Sequence, residues 1–283
     1  MCTLNNLGAG IVSVAEQHGD VGINYGTLAT CVALLVFLAM LVFLSNRWVV
    51  KFPPLPDFTA YRQVKDMKAA FSDYLTPIIE YHNEQVLKDR KRLAKMHGAV
   101  EAGKALARSE SRWLHALARK YDVYWNPQQP VTVIKELISR VDIVPVQLAV
   151  VQAAKESSWG RSRYAVQSNN IFGQWCYKKG CGVIPRERPA GARHEVRQFD
   201  SISDAIGSYI HNLNSHYRYK KLRKLRQDLR NQGLAIEGNE LVDGLLFYSE
   251  RRQQYVEEIR SMIRQYRFFQ GQRTKASKVV AGI

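Results

Sequence analysis

One carboxylate has a sequence context that suits catalysis: Glu156, near the end of an apolar stretch that follows Pro145. Pro145 favours a helix start, because it has no N–H to leave unpaired and its φ already suits a helix. Gln152 and Glu156 lie four positions apart and therefore share one helix face. The other residues of the stretch make the predicted helix apolar on almost every side, which is typical of a buried helix: Val146, Leu148, Ala149, Val150, Val151, Ala153 and Ala154.

A carboxyl group at the C-terminal end of a buried helix has two reasons to stay neutral. Burial disfavours its ionised form, and the negative end of the helix dipole repels the charge. A carboxylic acid that keeps its proton near neutral pH is what a glycosidase needs as general acid. The alternative is a solvent-facing Glu156 in the last helical turn, paired with Lys155. The local pattern leaves both open.

Several segments, in order along the chain, resemble one known family. AKESSWG at 154–160 is followed by NNIFG at 169–173, FDS at 199–201, HYRY at 216–219 and YSERRQQY at 248–255. They resemble the boxes of the glucosaminidase family of peptidoglycan hydrolases (glycoside hydrolase family 73-like). That family has a Glu-Ser-x-Trp-Gly box, an Asn-x-Phe-Gly box, a turn into a helix that ends in Tyr, and later tyrosine motifs. In the turn, a Phe at 199 stands where the family has Tyr.

Three more segments make the resemblance closest to the Bax-type branch of the family: LPD at 55–57, KYDVYW at 120–125 and VDIVP at 141–145. The resemblance extends from about residue 55 to residue 267. It implies a mainly α, lysozyme-like α+β fold, in which a helical lobe carries Glu156 and a small β-lobe closes a cleft. It implies no cofactor.

The resemblance also implies a second carboxylate in the β-lobe, since glycoside hydrolysis usually uses two carboxyl groups on opposite sides of the bond. Glu187 in PRERPAG fits the family pattern better, because a Gly-containing turn follows it. Glu195 in RHEVRQF is the alternative. Each could also be an ordinary partner of the neighbouring arginines. If neither glutamate acts, a polarised water or the substrate's own acetamido group would have to attack the sugar.

Other side chains are candidates for lining the cleft. Asn170 either holds a sugar or fixes its loop, and Trp175 in the small lobe could stack on a pyranose ring. Tyr209 and Tyr248 stand where the family places cleft tyrosines, although their local patterns alone indicate core positions. Trp159 is interpreted as a packing residue that keeps the surroundings of Glu156 dry.

The charge of the chain restricts its partners. The 283 residues carry a formal net charge of +16, and the pI is near 9.8. Such a charge favours anionic surroundings: nucleic acid, anionic lipid or an acidic polymer such as the bacterial wall. No zinc-finger spacing, basic zipper or RNP box is present, which argues against nucleic acid. The sequence leaves the number of subunits open.

The cysteines give information on the compartment. Cys176 and Cys181 are five positions apart, which suits a short disulfide-closed hairpin in an oxidising compartment. The alternative is two reduced cysteines. Neither these cysteines nor His194, His211 and His216 have the spacing of metal ligands, so no metal site is predicted.

Residues 28–44 form an apolar run that predicts a single transmembrane helix, and no small-residue cleavage site follows it. The expected location is therefore the bacterial inner membrane, with the catalytic domain in the periplasm. The positive-inside rule conflicts with this topology, and a start codon other than that of Met1 would change the charge balance. The basic residues responsible lie after the span: Arg47, Lys51, Arg62, Lys65 and Lys68.

The predicted organisation has six parts. A short segment at 1–27 precedes the anchor at 28–50, a Pro-rich linker at 51–58, and a helical extension at 59–130. The glucosaminidase-like catalytic domain follows at 131–269, with strands expected between 172 and 199, and then a flexible tail at 270–283. Within the extension, Thr76-Pro77 is expected to interrupt one helix and begin another.

The sequence therefore predicts an endo-β-N-acetylglucosaminidase that cleaves β-1,4 bonds of peptidoglycan with Glu156 as general acid. A lytic transglycosylase or muramidase is one alternative, because such enzymes also use a helix-end Glu-Ser. A cell-envelope binding or scaffold protein with little turnover is the other. The NNIFG box favours the glucosaminidase over the transglycosylase, whose second box usually ends in a Gly-Leu-Met-Gln type sequence.

Overall fold

The structure is a computed structural model that describes residues 30, 32–38, 40, 50–186, 188 and 191–280, with side chains up to Tyr266. The chain divides into two units, Met1–Lys51 and Phe52–Ile283. In the first unit, residues 32–38 are helical and exposed. The predicted anchor at 28–44 lies largely outside the described residues. No helix in the described part combines the length and apolarity needed to cross a bilayer, so the anchor stays a prediction.

The second unit is mainly helical with one small antiparallel sheet. Short 3₁₀ turns lie at Phe58–Ala60, Tyr217–Tyr219 and Val242–Leu245. The strands are β1 (Trp175–Cys176), β2 (Gly182–Val183) and β3 (Glu195–Arg197). The helices are α1 (Val64–Glu101), α2 (Arg108–Lys120), α3 (Pro130–Arg140), α4 (Val146–Ser157), α5 (Arg163–Ser168), α6 (Ile202–Ser215), α7 (Lys220–Asn231), α8 (Gly238–Leu241) and α9 (Gln253–Val280). This arrangement agrees with the predicted mainly α, lysozyme-like α+β fold.

Helix α1 is one continuous helix, and the predicted break at Thr76-Pro77 is wrong. Pro77 has no N–H to donate within the helix. The residues on both sides of it are nevertheless fully buried in the core, so packing keeps the helix together. The Thr76 hydroxyl donates to the Ser72 carbonyl at 2.8 Å. The buried residues that flank the proline are Phe71, Leu75, Ile78 and Ile79.

Helix α4 lies between α1 and α9, and it is buried as predicted. Pro145 is its N-cap rather than its first helical residue. The helix ends in a left-handed turn, in which Ser158, Trp159 and Gly160 have φ of 51°, 61° and 78°. The Ser157 hydroxyl stabilises this turn by accepting from the Gly160 N–H at 2.8 Å.

A cluster of arginines around Asp142 fixes the entry into α4. The Asp142 carboxylate contacts Arg230 at 2.8 Å, Arg90 at 3.3 Å and Arg226 at 3.9 Å. Burial alone would raise the pKa of Asp142, but the hydrogen bond from Arg230 and the charges of Arg226 and Arg90 hold it below its ordinary value. Arg226, itself fully buried, also donates to the Ile143 carbonyl at 2.8 Å. This network joins α3, α7 and the start of α4.

The β-lobe predicted between residues 172 and 199 is confirmed. Its strands lie in the order β1-β3-β2, and β3 pairs antiparallel with both neighbours. Trp175 lies opposite Val196, and Gly182 lies opposite Arg197. The predicted disulfide between Cys176 and Cys181 is present and closes the loop between β1 and β2.

The C-terminal helix extends further than the sequence suggests. Helix α9 continues to Val280, through a segment where a flexible tail was expected. This segment contains no proline, and its Gln, Arg, Lys and Ala residues favour the helix. The N-terminal half of α9 packs against α4, and this contact forms one wall of the site described next.

Candidate active site

Glu156 lies in the last turn of α4 and is half-buried. The Tyr255 hydroxyl, from α9, donates a hydrogen bond to Oε1 of Glu156 at 2.9 Å. Burial raises the pKa of Glu156, and the hydrogen bond from Tyr255 and the charge of Lys155 offset only part of that rise. Lys155 does not neutralise Glu156 directly, because its amine pairs with Oε2 of Glu258 at 2.5 Å.

A chain of hydrogen bonds leads from the core to this carboxyl group. The Tyr209 hydroxyl donates to Oε1 of Gln152 at 2.6 Å, and Nε2 of Gln152 donates to the Tyr255 hydroxyl oxygen at 3.0 Å. Gln152 and Tyr209 are fully buried, and Tyr255 is nearly so. Burial raises the pKa of Tyr209 and of Tyr255 well above the ordinary value, so both phenols keep their protons at neutral pH.

Aromatic rings hold these side chains in place. Tyr248 stacks on Tyr255 with ring centroids 5.4 Å apart, and its hydroxyl donates to the Phe172 carbonyl at 3.2 Å. Phe172 in turn stacks on Tyr209, with centroids 3.8 Å apart and planes 3° from parallel. The NNIFG box therefore contributes the apolar side of the site, while α6, α9 and the turn before α9 contribute the tyrosines.

Gly173 leaves room in front of the carboxyl group. It has a φ of 64°, which favours glycine. A Cβ placed on Gly173 would lie 3.8 Å from Oε2 of Glu156. Oε1 thus faces Tyr255, whereas Oε2 faces a backbone position that has no side chain.

Asn170 fixes its loop. Its Nδ2 donates to the carbonyls of Gln174 and Arg197, each at 2.8 Å, and its Oδ1 accepts from the Gln174 N–H at 2.9 Å. Asn170 is almost completely buried. Of the two roles that the sequence leaves open, these contacts favour the structural one.

Trp175 is available to a ligand. It stacks on His194 with ring centroids 4.0 Å apart, yet 53% of its surface is exposed. Tyr248 is half-buried beside Tyr255, while Tyr209 has no exposed surface. Tyr209 therefore contacts Gln152 rather than the surface, and Trp175 and Tyr248 remain the aromatic candidates for contact with a sugar.

The two candidates for the second carboxylate differ in what the structure describes. Glu187 lies outside the described residues. Glu195 is buried on β3, where its carboxylate accepts from the Gly180 and Gly182 N–H groups at 3.0 and 2.9 Å. The hydrogen bond from Gly180, and then that from Gly182, lowers the pKa of Glu195 below its ordinary value despite burial. Its contacts are those of a residue that holds the disulfide loop in place.

Trp159 packs as the sequence predicts, but its ring contacts are with α1 rather than with Glu156. Its ring meets Phe71 edge-on at 5.6 Å, and Nζ of Lys68 lies 4.9 Å from its centroid. It lines a mostly apolar cavity of about 220 Å³ with Val151 and Met262. The dry surroundings of Glu156 come instead from Tyr255 and its neighbours.

Sequence reasoning missed two parts of the site. The sequence shows Tyr255 only as the last residue of the YSERRQQY motif and does not predict its contact with Glu156. Gln152 shares a helix face with Glu156, yet the sequence assigns it no role. The four-residue spacing was the available signal.

In the described part of the chain, the group of side chains closest to a metal-ligand set is Cys176, Cys181 and Glu195. The two sulfur atoms form the disulfide and Glu195 accepts from backbone amides. These residues do not fit a metal ion.

Comparisons with known proteins identify the family of the chain. The Glucosaminidase family model, described as mannosyl-glycoprotein endo-beta-N-acetylglucosaminidase, matches residues 131–268. Protein bax of Escherichia coli (strain K12) is 30% identical over 210 residues, which cover 74% of this chain and 73% of that protein. The chain belongs to the Bax-type branch of the glucosaminidase family. No solved structure matches it significantly.

Membership in the glucosaminidase family gives the site its chemical class, that of a glycoside hydrolase. The matched range contains Glu156, Gln152 and the tyrosines of the site. The resemblance seen in the sequence is thereby confirmed at the level of the family.

Proposed function

We propose that this glucosaminidase hydrolyses the β-1,4 bond on the N-acetylglucosamine side of bacterial peptidoglycan, with Glu156 as its general acid. One observation carries the proposal. The carboxyl group of Glu156 is half-buried and has a raised pKa. One of its oxygens accepts a hydrogen bond from the Tyr255 phenol, while the other faces Gly173, which has no side chain. A protonated carboxylic acid beside an open position is what protonation of a glycosidic oxygen requires.

The reaction follows from this placement. Glu156 transfers its proton to the bridging oxygen as the bond from that oxygen to the anomeric carbon breaks. The anomeric carbon gains oxocarbenium character, and an oxygen nucleophile adds to it from the opposite side. Tyr255 continues to donate to the ionised Glu156 and so stabilises the charge left behind. This nucleophile is either water itself or a first nucleophile that water displaces in a second step.

The reaction also needs a second catalytic group. We assign the activation of water, or the stabilisation of the oxocarbenium-like state, to Glu187. The contacts of Glu195 with backbone amides support this choice, because they commit its oxygens to the loop. If Glu187→Gln is fully active, the remaining candidates are Glu195, a polarised water and the substrate's own acetamido group.

The family and the net charge support the substrate class, and the apolar run and the disulfide support the location. Peptidoglycan is the substrate of the family that the sequence resembles, and the net charge of +16 favours an acidic polymer. We propose that the apolar run at 28–44 anchors the protein in the inner membrane with the second unit in the periplasm. The Cys176–Cys181 disulfide supports an oxidising compartment.

The decisive experiment compares full-length wild type with Glu156→Gln on purified peptidoglycan, followed by mass analysis of the products. The amide keeps the shape but has no transferable proton, so hydrolysis should fall by about 10²- to 10⁴-fold. Glu250→Gln, an exposed glutamate in the same tyrosine-rich segment, is the matched control and should leave the rate unchanged.

The products identify the reaction. Reducing N-acetylglucosamine ends support the proposal, whereas anhydromuramic ends would show a lytic transglycosylase and reducing muramic ends a muramidase. Wild-type activity in Glu156→Gln would refute the assignment of the acid. No turnover by the wild-type protein would instead favour an envelope-binding role.

A further inference from the structure

We infer that Gln152 is a positioning residue that sets the direction of a hydrogen-bond chain and thereby places the acid proton of Glu156 on Oε2. The inference rests on the proposed function of Glu156 and adds the means by which its proton is presented. The chain runs from Tyr209 through Gln152 and Tyr255 to Glu156, over contacts of 2.6, 3.0 and 2.9 Å.

The first step fixes the orientation of the Gln152 amide. The Tyr209 hydroxyl has no exposed surface, and among the described residues its hydrogen-bond partner is Gln152 alone. If the amide were turned over, its NH₂ group would face that hydroxyl and the phenol proton would have no acceptor. A buried donor left unpaired costs about 1–3 kcal/mol, so the amide oxygen faces Tyr209.

The second step fixes the Tyr255 hydroxyl. With its oxygen turned to Tyr209, Gln152 presents an N–H to the Tyr255 oxygen. That oxygen is therefore an acceptor on the side of Gln152, and its own proton points away. The neighbour in that direction is Oε1 of Glu156. Tyr255 must donate to Glu156 and cannot accept from it in this arrangement.

The third step places the acid proton. Since Oε1 already accepts a hydrogen bond from the Tyr255 hydroxyl, a neutral Glu156 holds its own proton on Oε2. Oε2 is the oxygen beside Gly173, where a side chain is missing. The proton therefore points to the open position. In the reversed chain, Glu156 would donate to Tyr255 from Oε1, and the proton would point into the protein and be unavailable to a substrate.

Glu156 interacts with titratable side chains of α4, α6 and α9 and of the turns that carry Tyr219 and Tyr248, and these leave the placement of its proton unchanged. Tyr255 and Tyr209 stay protonated, because burial raises the pKa of each well above the ordinary value. Burial likewise raises the pKa of Tyr248 well above that value and the pKa of Tyr219 to about 12. Lys155, the cation closest in sequence, is held by Glu258. The alkaline limb of the pH dependence therefore reports Glu156.

The test uses full-length protein with Gln152→Met, which keeps the length of the side chain but removes both hydrogen bonds. Without the amide N–H, Tyr255 is free to accept from neutral Glu156 and so to hold the proton on Oε1. We expect kcat to fall about 10- to 100-fold, up to the lower part of the range that general acid catalysis supplies, while KM stays the same. Because neutral Glu156 gains an acceptor, the alkaline limb of the kcat–pH profile should move to higher pH.

Two further variants keep the inference falsifiable. Tyr209→Phe removes the phenol that orients the amide, and it should shift the same limb in the same direction by a smaller amount. Gln147→Met makes the same substitution on the same helix, at a half-buried residue outside the hydrogen-bond chain, and should change neither kcat nor the limb.

The outcomes separate this inference from the function on which it rests. If Glu156→Gln is inactive while Gln152→Met or Tyr209→Phe keeps the wild-type rate and limb, Gln152 has no positioning role and the inference fails. If Glu156→Gln is active, the proposed role of Glu156 is wrong, and the inference about Gln152 falls with it. Should Gln152→Met not fold, the shift of the limb in Tyr209→Phe decides the question alone.

Discussion

The hydroxyl oxygen of Tyr255 lies 2.9 Å from Oε1 of Glu156, although the two residues are 99 positions apart in the chain. The contact joins the last turn of α4 to the first turns of α9. Glu156 is thus held by a helix that follows the β-lobe and α6 to α8 along the chain. The packing of α9 against α4 is therefore a condition for the chemistry as well as for stability.

The raised pKa of Glu156 predicts how stability changes with pH. The folded state holds this proton to higher pH than the unfolded chain, so the side chain favours folding below the unfolded pKa of about 4.3. That contribution is lost as the pH rises through the folded pKa. Glu156→Gln should therefore gain free energy of unfolding relative to wild type between pH 4 and 8, as measured by urea denaturation at each pH. A difference that does not change over this range would contradict the raised pKa.

Glu258 should show the opposite slope. The hydrogen bond from Lys155, followed by that from Arg251, lowers the pKa of Glu258 below its ordinary value. Its contribution to stability is present above the unfolded pKa and is lost as the pH falls through the folded pKa. We expect Glu258→Gln to be less stable than wild type at pH 7 and to match it at low pH. The same denaturation series measures both variants, and slopes of equal sign would overturn the pair of predictions.

Matched substitutions show which of the two candidates, Glu187 or Glu195, is the second catalytic carboxylate. Glu187→Gln should lose about 10²-fold or more in hydrolysis, as removal of a general base does. In Glu195→Gln the carbonyl oxygen still accepts one of the two amide hydrogen bonds, so hydrolysis should fall by less than about tenfold on the same scale. Limited proteolysis should nick the loop between β1 and β3 faster in Glu195→Gln. Reversed activities in the two variants would show that Glu195 is the catalytic residue.

Gly160 and Gly98 form a pair in which the same substitution has opposite effects. A Cβ on Gly160 would lie 2.7 Å from Cδ2 of Phe58, and its φ of 78° is unfavourable for alanine. Gly160→Ala should therefore lose about 1–3 kcal/mol of unfolding free energy through overpacking. Gly98 lies inside α1 and a Cβ there meets nothing within 4 Å. Gly98→Ala should gain about 0.5–1 kcal/mol. Thermal or urea unfolding measures both, and equal signs would refute the argument.

The topology is tested with reporter fusions after Ile283. A reporter active only in the periplasm should give signal, and one active only in the cytoplasm should not. The apolar run at 28–44 and the disulfide between Cys176 and Cys181 favour this result, whereas the basic residues after Arg47 oppose it. A cytoplasmic signal alone would place peptidoglycan out of reach and remove it as the substrate.

Local pattern was enough for much of the molecule. The apolar run after Pro145 predicted a buried helix, because side chains that cover every side of a helix have to be packed against neighbours. The spacing of Cys176 and Cys181 predicted their disulfide, and Gly and Pro turns predicted the small lobe. The run of boxes around Glu156 predicted the family. The first three of these inferences depend on residues that are close in sequence, and the last depends on short boxes in a fixed order along the chain.

Tertiary contacts decided what local pattern left open. Pro77 lies inside α1 because core packing outweighs the loss of one hydrogen bond, and no local pattern shows this burial. Asn170 joins its own loop, through Gln174, to the distant strand β3, through Arg197, instead of facing outward.

The sequence by itself determined the family, the buried helix and the position of its single terminal carboxylate. Only the tertiary structure decided which side chains surround that carboxylate and which of its oxygens is free. The physical reason is that hydrogen-bond direction depends on all members of a buried chain at once. Tyr209, Gln152, Tyr255 and Glu156 come from three helices, and they meet only when the core is packed.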